Sequence, residues 1–148
     1  MPEAALRLTP GVARALVEHA ARCAPREACG LVAGAGGVAS AVHFATNVAD
    51  RDDRYAIATD EQMRLRAAIA RAGMDVMAVY HSHVDAPAWP SPRDVALSFV
   101  PRLPHVIVGP VRGETQIRAF LLDASAPPDG RIAELRVAVG DASAAPRA

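Results

Sequence analysis

The stretch "VMAVYHSHVDAPAWPSPRDVALSFV", residues 76–100, gathers the side chains best suited to chemistry. An apolar run ends in His81 and His83, two of only five histidines in the chain. In a strand, residues i and i+2 share a face, and at ~3.3 Å per residue their Cα atoms lie ~6.6 Å apart. Two imidazoles at that separation can converge on one metal through bonds of about 2.0 Å. They also stand where an apolar strand ends, which is where α/β sheets place ligand sites. A bare His-x-His reads more simply as one strand-capping and one solvated histidine, so the pair needs support from elsewhere.

That support is "PSPRD". Ser91 occupies an N-cap, Pro92 the first helical position and Asp94 the third, an S-x-x-D form of the capping box. At the least these residues start a helix. The proline-rich loop before them turns sharply, and a helix beginning there can bring Asp94 back beside the histidines. Two histidines and one carboxylate, with a fourth position open, form the ligand set of a catalytic zinc rather than a structural one. A closed structural site would use cysteines, and Cys23 and Cys29 are too few and wrongly spaced for one. Such a metal acidifies water and polarises a carbonyl, and it requires a general base. Glu27, opening the apolar run "EACGLVAG", is the candidate, although taken alone it reads as an exposed strand-end glutamate. Asp85 alternates with His81 and His83 and is a rival third ligand if the strand continues. The cluster of Asp85, Pro87 and Pro90 argues that the strand has broken, which favours Asp94.

Several elements must position these groups. "LTPGVARALVEHAARCAPRE" predicts a helix capped by Thr9, with Pro10 at its first position and Val12, Leu16, Ala20 and Cys23 at helical spacing. Pro25 ends it. "EACGLVAG" and "GGVASAVHFATN" predict two hairpin strands across a glycine turn. "DRDDRYAIA" predicts a polar loop entering a short strand. "TDEQMRLRAAIARAG" predicts a second helix capped by Thr59 or Asp60. "MDVMAVYHSH" predicts a central strand covered on both faces. "SPRDVALSFV" predicts a third helix stopped by Pro101. "PHVIVG", "TQIRAFLLD" and "RIAELRVAV" predict three further strands. The expectation is one mixed α/β domain over residues 1–140, with about six strands, three helices and a frayed tail at 141–148.

The chain has 148 residues, 51% apolar and 22% charged, a composition ordinary for a soluble globular domain. Sixteen basic and sixteen acidic residues cancel, which leaves no electrostatic footprint for nucleic acid or an anionic membrane. No signal peptide or membrane-spanning run is evident, so a cytoplasmic location is expected.

Glu27 in the E-x-C-G strand, then His81-Ser82-His83, Ser91 and Asp94, resembles the motif of the JAMM metalloproteases (MPN+, or JAB1/MPN/Mov34, family). The likeness runs from the first helix to about residue 123. It implies a cytidine-deaminase-like α/β/α sandwich in which His81, His83 and Asp94 bind zinc. It further implies that Glu27 is the general acid/base and that Ser91 hydrogen-bonds the oxyanion. The activity implied is cleavage of a peptide or isopeptide bond after the C-terminal glycine of a ubiquitin-like protein. "HAARCAPREACGLVAG", "ATNVADRDDRYAIATDEQMRLRAAI" and "VMAVYHSHVDAPAWPSPRDVALS" are most similar to small bacterial members that release cysteine from a ubiquitin-like sulfur-carrier protein ending in Gly-Gly. Deconjugation of a modifier from protein lysines is the alternative, and a homodimer is compatible with either. A non-catalytic binding module of the family would lack metal ligands, and none is missing. A zinc deaminase would need a pair of cysteine ligands that this chain does not have.

Overall fold

The computed structural model describes residues 5–98 and 100–140, and the expected tail at 141–148 lies outside them. In chain order the elements are β1 (Ala5–Leu8), α1 (Pro10–Cys23), β2 (Cys29–Ala35), β3 (Val38–Ala45), α2 (Thr59–Arg71), β4 (Asp75–Ser82), α3 (Pro92–Ala96), β5 (His105–Gly109), β6 (Gln116–Leu122) and β7 (Ile132–Val139). Among the described residues, no helix is long and apolar enough to cross a membrane.

The mixed sheet and three helices are those expected, but there are seven strands, and they close on themselves in the order β1-β3-β2-β4-β5-β6-β7. The additional strand is β1, only four residues long, with Leu6 and Leu8 buried and alternating with half-buried neighbours. It pairs in parallel with both β3 and β7 and so joins the two ends of the sheet. The β2–β3 hairpin turns on Gly36 and Gly37, both at positive φ (65° and 80°), the conformation a two-residue turn between twisted strands requires.

β4 lies between antiparallel β2 and parallel β5, and its last three residues are buried. Side chains alternate across β2. Val32 joins Leu8, Leu16 and Tyr80 in the largest apolar cluster, on the α1 side. Leu31 and Ala33 face the other way, onto Ile69 of α2. Helices therefore cover this sheet region on both faces. A third cluster, of Ala88, Ile107, Phe120 and Leu122, sits under the proline-rich loop. There Trp89 meets Phe120 edge to face at 5.2 Å, and the Arg118 guanidinium stands 5.3 Å from the Trp89 ring.

Three local expectations are corrected. Residues 55–58 are not a strand, because the loop takes its hydrogen bonds from Asn47 instead of from a ladder. The Asn47 amide donates to the carbonyls of Glu27 and Arg54 at 2.9 and 3.0 Å, and its oxygen accepts from the backbone N–H groups of Ala49 and Ala56. The N-cap of α2 is Ala58, without a side-chain cap, so Thr59 and Asp60 are already helical. The dipole is met by Asp60 and Glu61 in the first turn, where Glu61 also accepts from Thr46 N–H at 2.8 Å. α3 is a short five-residue helix that ends before Ser98, whose hydroxyl turns inward to the Leu122 carbonyl at 3.1 Å.

Candidate functional site

The end of β4 carries His81 and the chain continues directly into His83, both buried. Their Nε2 atoms lie 3.2 Å apart. Asp94 Oδ2 stands 3.3 Å from His81 Nε2 and 3.4 Å from His83 Nε2. Zinc bonds of about 2.0–2.1 Å at tetrahedral angles span an edge of about 3.3–3.4 Å between ligand atoms. The three observed edges match it, so the donor set fits a zinc ion. Two imidazole nitrogens turned toward each other and toward one carboxylate oxygen must share either an N–H hydrogen or a metal between them.

Local structure explains how each donor is aimed. His83 Nδ1 donates to the Pro87 carbonyl at 2.8 Å, which turns Nε2 toward the cluster. There it offers a metal its lone pair when the ring is neutral and donates to Asp94 when the ring is protonated. The prolines thus orient a ring as well as turn the chain. His81 Nδ1 is buried and finds no hydrogen-bond partner among the described residues. Its ring is held instead by stacking on Tyr55, with centroids 4.6 Å apart and planes 20° from parallel. The capping box of α3 is complete: Ser91 Oγ accepts from Asp94 N–H at 3.1 Å, and Asp94 Oδ2 accepts from Ser91 N–H at 2.8 Å. The oxygen that caps the helix is the one that faces the histidines, so helix initiation and ligand placement are a single interaction.

Burial opposes ionisation of Asp94, but hydrogen bonds from His81 and His83 outweigh it and hold the carboxyl well below the usual range. Burial likewise pulls His83 down, and its bonds to Asp94 and the Pro87 carbonyl more than reverse that. Glu27 sits two residues ahead of β2 rather than within it, and is 8% exposed. Burial pushes its pKa up to about 7; His83 and Arg93 pull it down, while Asp94 and Asp53 add to the rise.

Glu27, Ser91, His83 and Asp94 line one cavity of about 430 Å³. Asp85 lines it too, but its carboxylate lies 3.4 Å from Arg112 Nη1 and outside the donor triangle. A second cavity of about 390 Å³ adjoins it, with Leu31, Ile57, Val79 and Leu97 in its walls, and both share Arg93 and Asp94. The loop 47–58 contributes to both, through Asp52–Arg54 in one and Tyr55–Ile57 in the other.

Four supporting residues escape a reading of local pattern. Ser82, between the histidines, accepts from Ala28 N–H at 2.7 Å and ties the segment bearing Glu27 to β4. Asn47 fixes the Glu27 carbonyl from the other side. Tyr55 holds His81. A Cβ at Gly109 would lie 2.7 Å from the His83 carbonyl oxygen, so only glycine lets β5 pass there. The remaining histidines lie outside the cluster. His105 bonds to Ser98 at 3.3 Å, and His19 stacks on Phe44 at 3.7 Å.

The fold is that of JAB/MPN domains. A JAB1/MPN domain protein from Archaeoglobus fulgidus superposes with a TM-score of 0.55 at 21% identity, over 89% of this chain and 98% of that one. A family model described as prokaryotic homologs of the JAB domain matches residues 9–123, and the chain belongs to that family. A "Probable TtuB-protein conjugate cleaving protease" of Thermus thermophilus is 37% identical over 120 residues, 75% of this chain and 74% of that protein. A "CysO-cysteine peptidase" of Mycobacterium tuberculosis is 35% identical over 96 residues, 64% of this chain and 66% of that protein.

Proposed function

We propose that the protein is a zinc-dependent hydrolase that cuts the amide bond after the terminal glycine of a ubiquitin-like sulfur-carrier protein and releases cysteine from a carrier–cysteine adduct. The observation that carries this reading is the triangle of donor atoms at 3.2, 3.3 and 3.4 Å with a buried carboxylic acid beside it in the same cavity. The names of the two relatives, one cleaving a protein conjugate and one a carrier–cysteine bond, support the substrate class. Release of the modifier from protein lysines is the second reading, favoured by the first of those names.

His81, His83 and Asp94 would hold the metal. When bound, zinc supplies Lewis acidity, acidifying water and polarising a carbonyl oxygen. Glu27, its carboxyl held by burial above the usual carboxylate range, can both take and return a proton. It accepts the proton of the attacking water as the new C–O bond forms at the scissile carbon. It then delivers a proton to the leaving nitrogen as the C–N bond breaks. The Ser91 Oγ uses a lone pair for Asp94 N–H, so its own proton remains free to donate to the developing oxyanion. The second cavity, walled in part by Leu31, Ile57, Val79 and Leu97, suits the extended carrier tail.

The test is metal content together with turnover. The purified protein is expected to carry about one zinc per chain, a stoichiometry set by three protein ligands and an open position. His81→Ala and Asp94→Ala are expected to lose both the zinc and the cleavage of a carrier–cysteine fusion. Undiminished cleavage by either metal-free variant would end the proposal. A phenotype that survives Glu27→Gln would point to a binding module.

A further inference from the structure

The leaving nitrogen takes its proton from Glu27, so the departing group must occupy the cavity that Glu27 lines and not the adjoining one. The scissile bond then lies at the junction, beside Arg93 and Asp94, which line both. The charges of the leaving-group cavity are unevenly matched. Asp52 faces Arg26 at 3.5 Å, Asp53 is held by Arg51 at 2.6 Å, and Asp85 faces Arg112 at 3.4 Å. Arg54 reaches Asp53 only at 3.9 Å, and its Nε is buried without a hydrogen-bond partner. Arg93 makes no ion pair and no side-chain hydrogen bond among the described residues, although its charge is felt at Glu27. The Arg93 guanidinium, exposed and unpaired where the two cavities meet, is free to take an anion carried by the leaving group. A free amino acid carries its α-carboxylate one carbon from that nitrogen. A protein lysine offers only methylenes there.

We propose that Arg93, seconded by Arg54, determines leaving-group specificity by gripping the α-carboxylate of a departing amino acid, so that adducts of free amino acids are cleaved in preference to protein conjugates. This rests on the hydrolase reading above and narrows it.

The experiment uses the zinc-loaded full chain and two synthetic peptides ending in Gly-Gly-Cys, one with a free C-terminal carboxylate and one amidated. The wild type is expected to favour the free acid by about tenfold or more in kcat/KM, as a bidentate arginine–carboxylate contact would give. In Arg93→Gln the preference falls to near unity, and Arg93→Lys, which keeps the charge without the fork, retains part of it. Equal cleavage of both peptides by the wild type, or an equal loss on both in Arg93→Gln, overturns the proposal. Calorimetry on Glu27→Gln, which removes the proton carrier, reads the same preference as binding. Preferential binding of the acid with no turnover by the wild type sinks the hydrolase reading and leaves the carboxylate site standing. Turnover without preference does the reverse, and neither binding nor turnover overturns both.

Discussion

Glu27 illustrates at the scale of a single residue how a site works against the stability of its own fold. Its carboxyl has a pKa of about 7 folded against 4.5 when free, chiefly because it is buried. A pKa raised on folding contributes stability that is complete below 4.5 and is lost as pH rises through 7, because the folded state binds the extra proton. Above pH 7 the protein therefore carries a buried charge that the unfolded chain would solvate freely. At 1.36 kcal/mol per pK unit the rise from 4.5 to about 7 amounts to about 3 kcal/mol. Glu27→Gln keeps the shape and removes the charge. In zinc-stripped protein its unfolding free energy is expected to exceed that of the wild type at pH 8 by this amount. The gap should close toward pH 5, while in the zinc-loaded protein the same variant is expected to lose cleavage at every pH. A gap independent of pH would show that the charge is not its source.

At the scale of elements, the site is assembled where β4, β5, the segment before β2 and the start of α3 meet. Gly109 is the narrowest of these junctions. The His83 segment is clamped to β5 by the bond from His83 N–H to the Val108 carbonyl at 2.9 Å, and a methyl group at Gly109 would also stand 3.0 Å from His83 Cβ. Gly109→Ala must push His83 away from His81 and Asp94. Overpacking of this kind costs about 1–3 kcal/mol. Zinc affinity, read by competition with a chromophoric chelator, is expected to fall by about tenfold or more, as when an orienting contact of a ligand is lost. Unchanged affinity would show that the loop yields without moving the ring.

The same junctions mark what a sequence can and cannot disclose. His81, His83, Ser91 and Asp94 are legible because strand alternation and the capping box are local patterns, each complete within a few residues. Glu27 reaches them only through the antiparallel register that sets Cys29 opposite His81, a pairing between distant segments that no local period encodes. Tyr55, Asn47 and Gly109 act through tertiary contacts, so nothing in their own neighbourhoods announces them. β1 is too short to establish a period, and the loop 47–58 looks like a strand entry until Asn47 is seen to satisfy its backbone.

For the whole molecule, the closed sheet separates scaffold from site. β1 joins β3 to β7, and Leu8, fully buried, packs in the largest cluster with Leu16 and Val106. Closure leaves no free strand edge on either side of β1, so the ring should lose stability as a unit when β1 is weakened. The donor triangle, by contrast, is held by Pro87, the α3 capping box and the stack on Tyr55, none of which involves β1. Leu8→Ala removes buried methyl groups and leaves a cavity, at a cost of about 2–5 kcal/mol. The denaturation midpoint is expected to drop accordingly, with zinc stoichiometry and the kcat/KM of the folded fraction unchanged. If zinc were lost along with stability under conditions where the variant remains folded, the ring and the metal cluster would form one cooperative unit rather than separate scaffold and site.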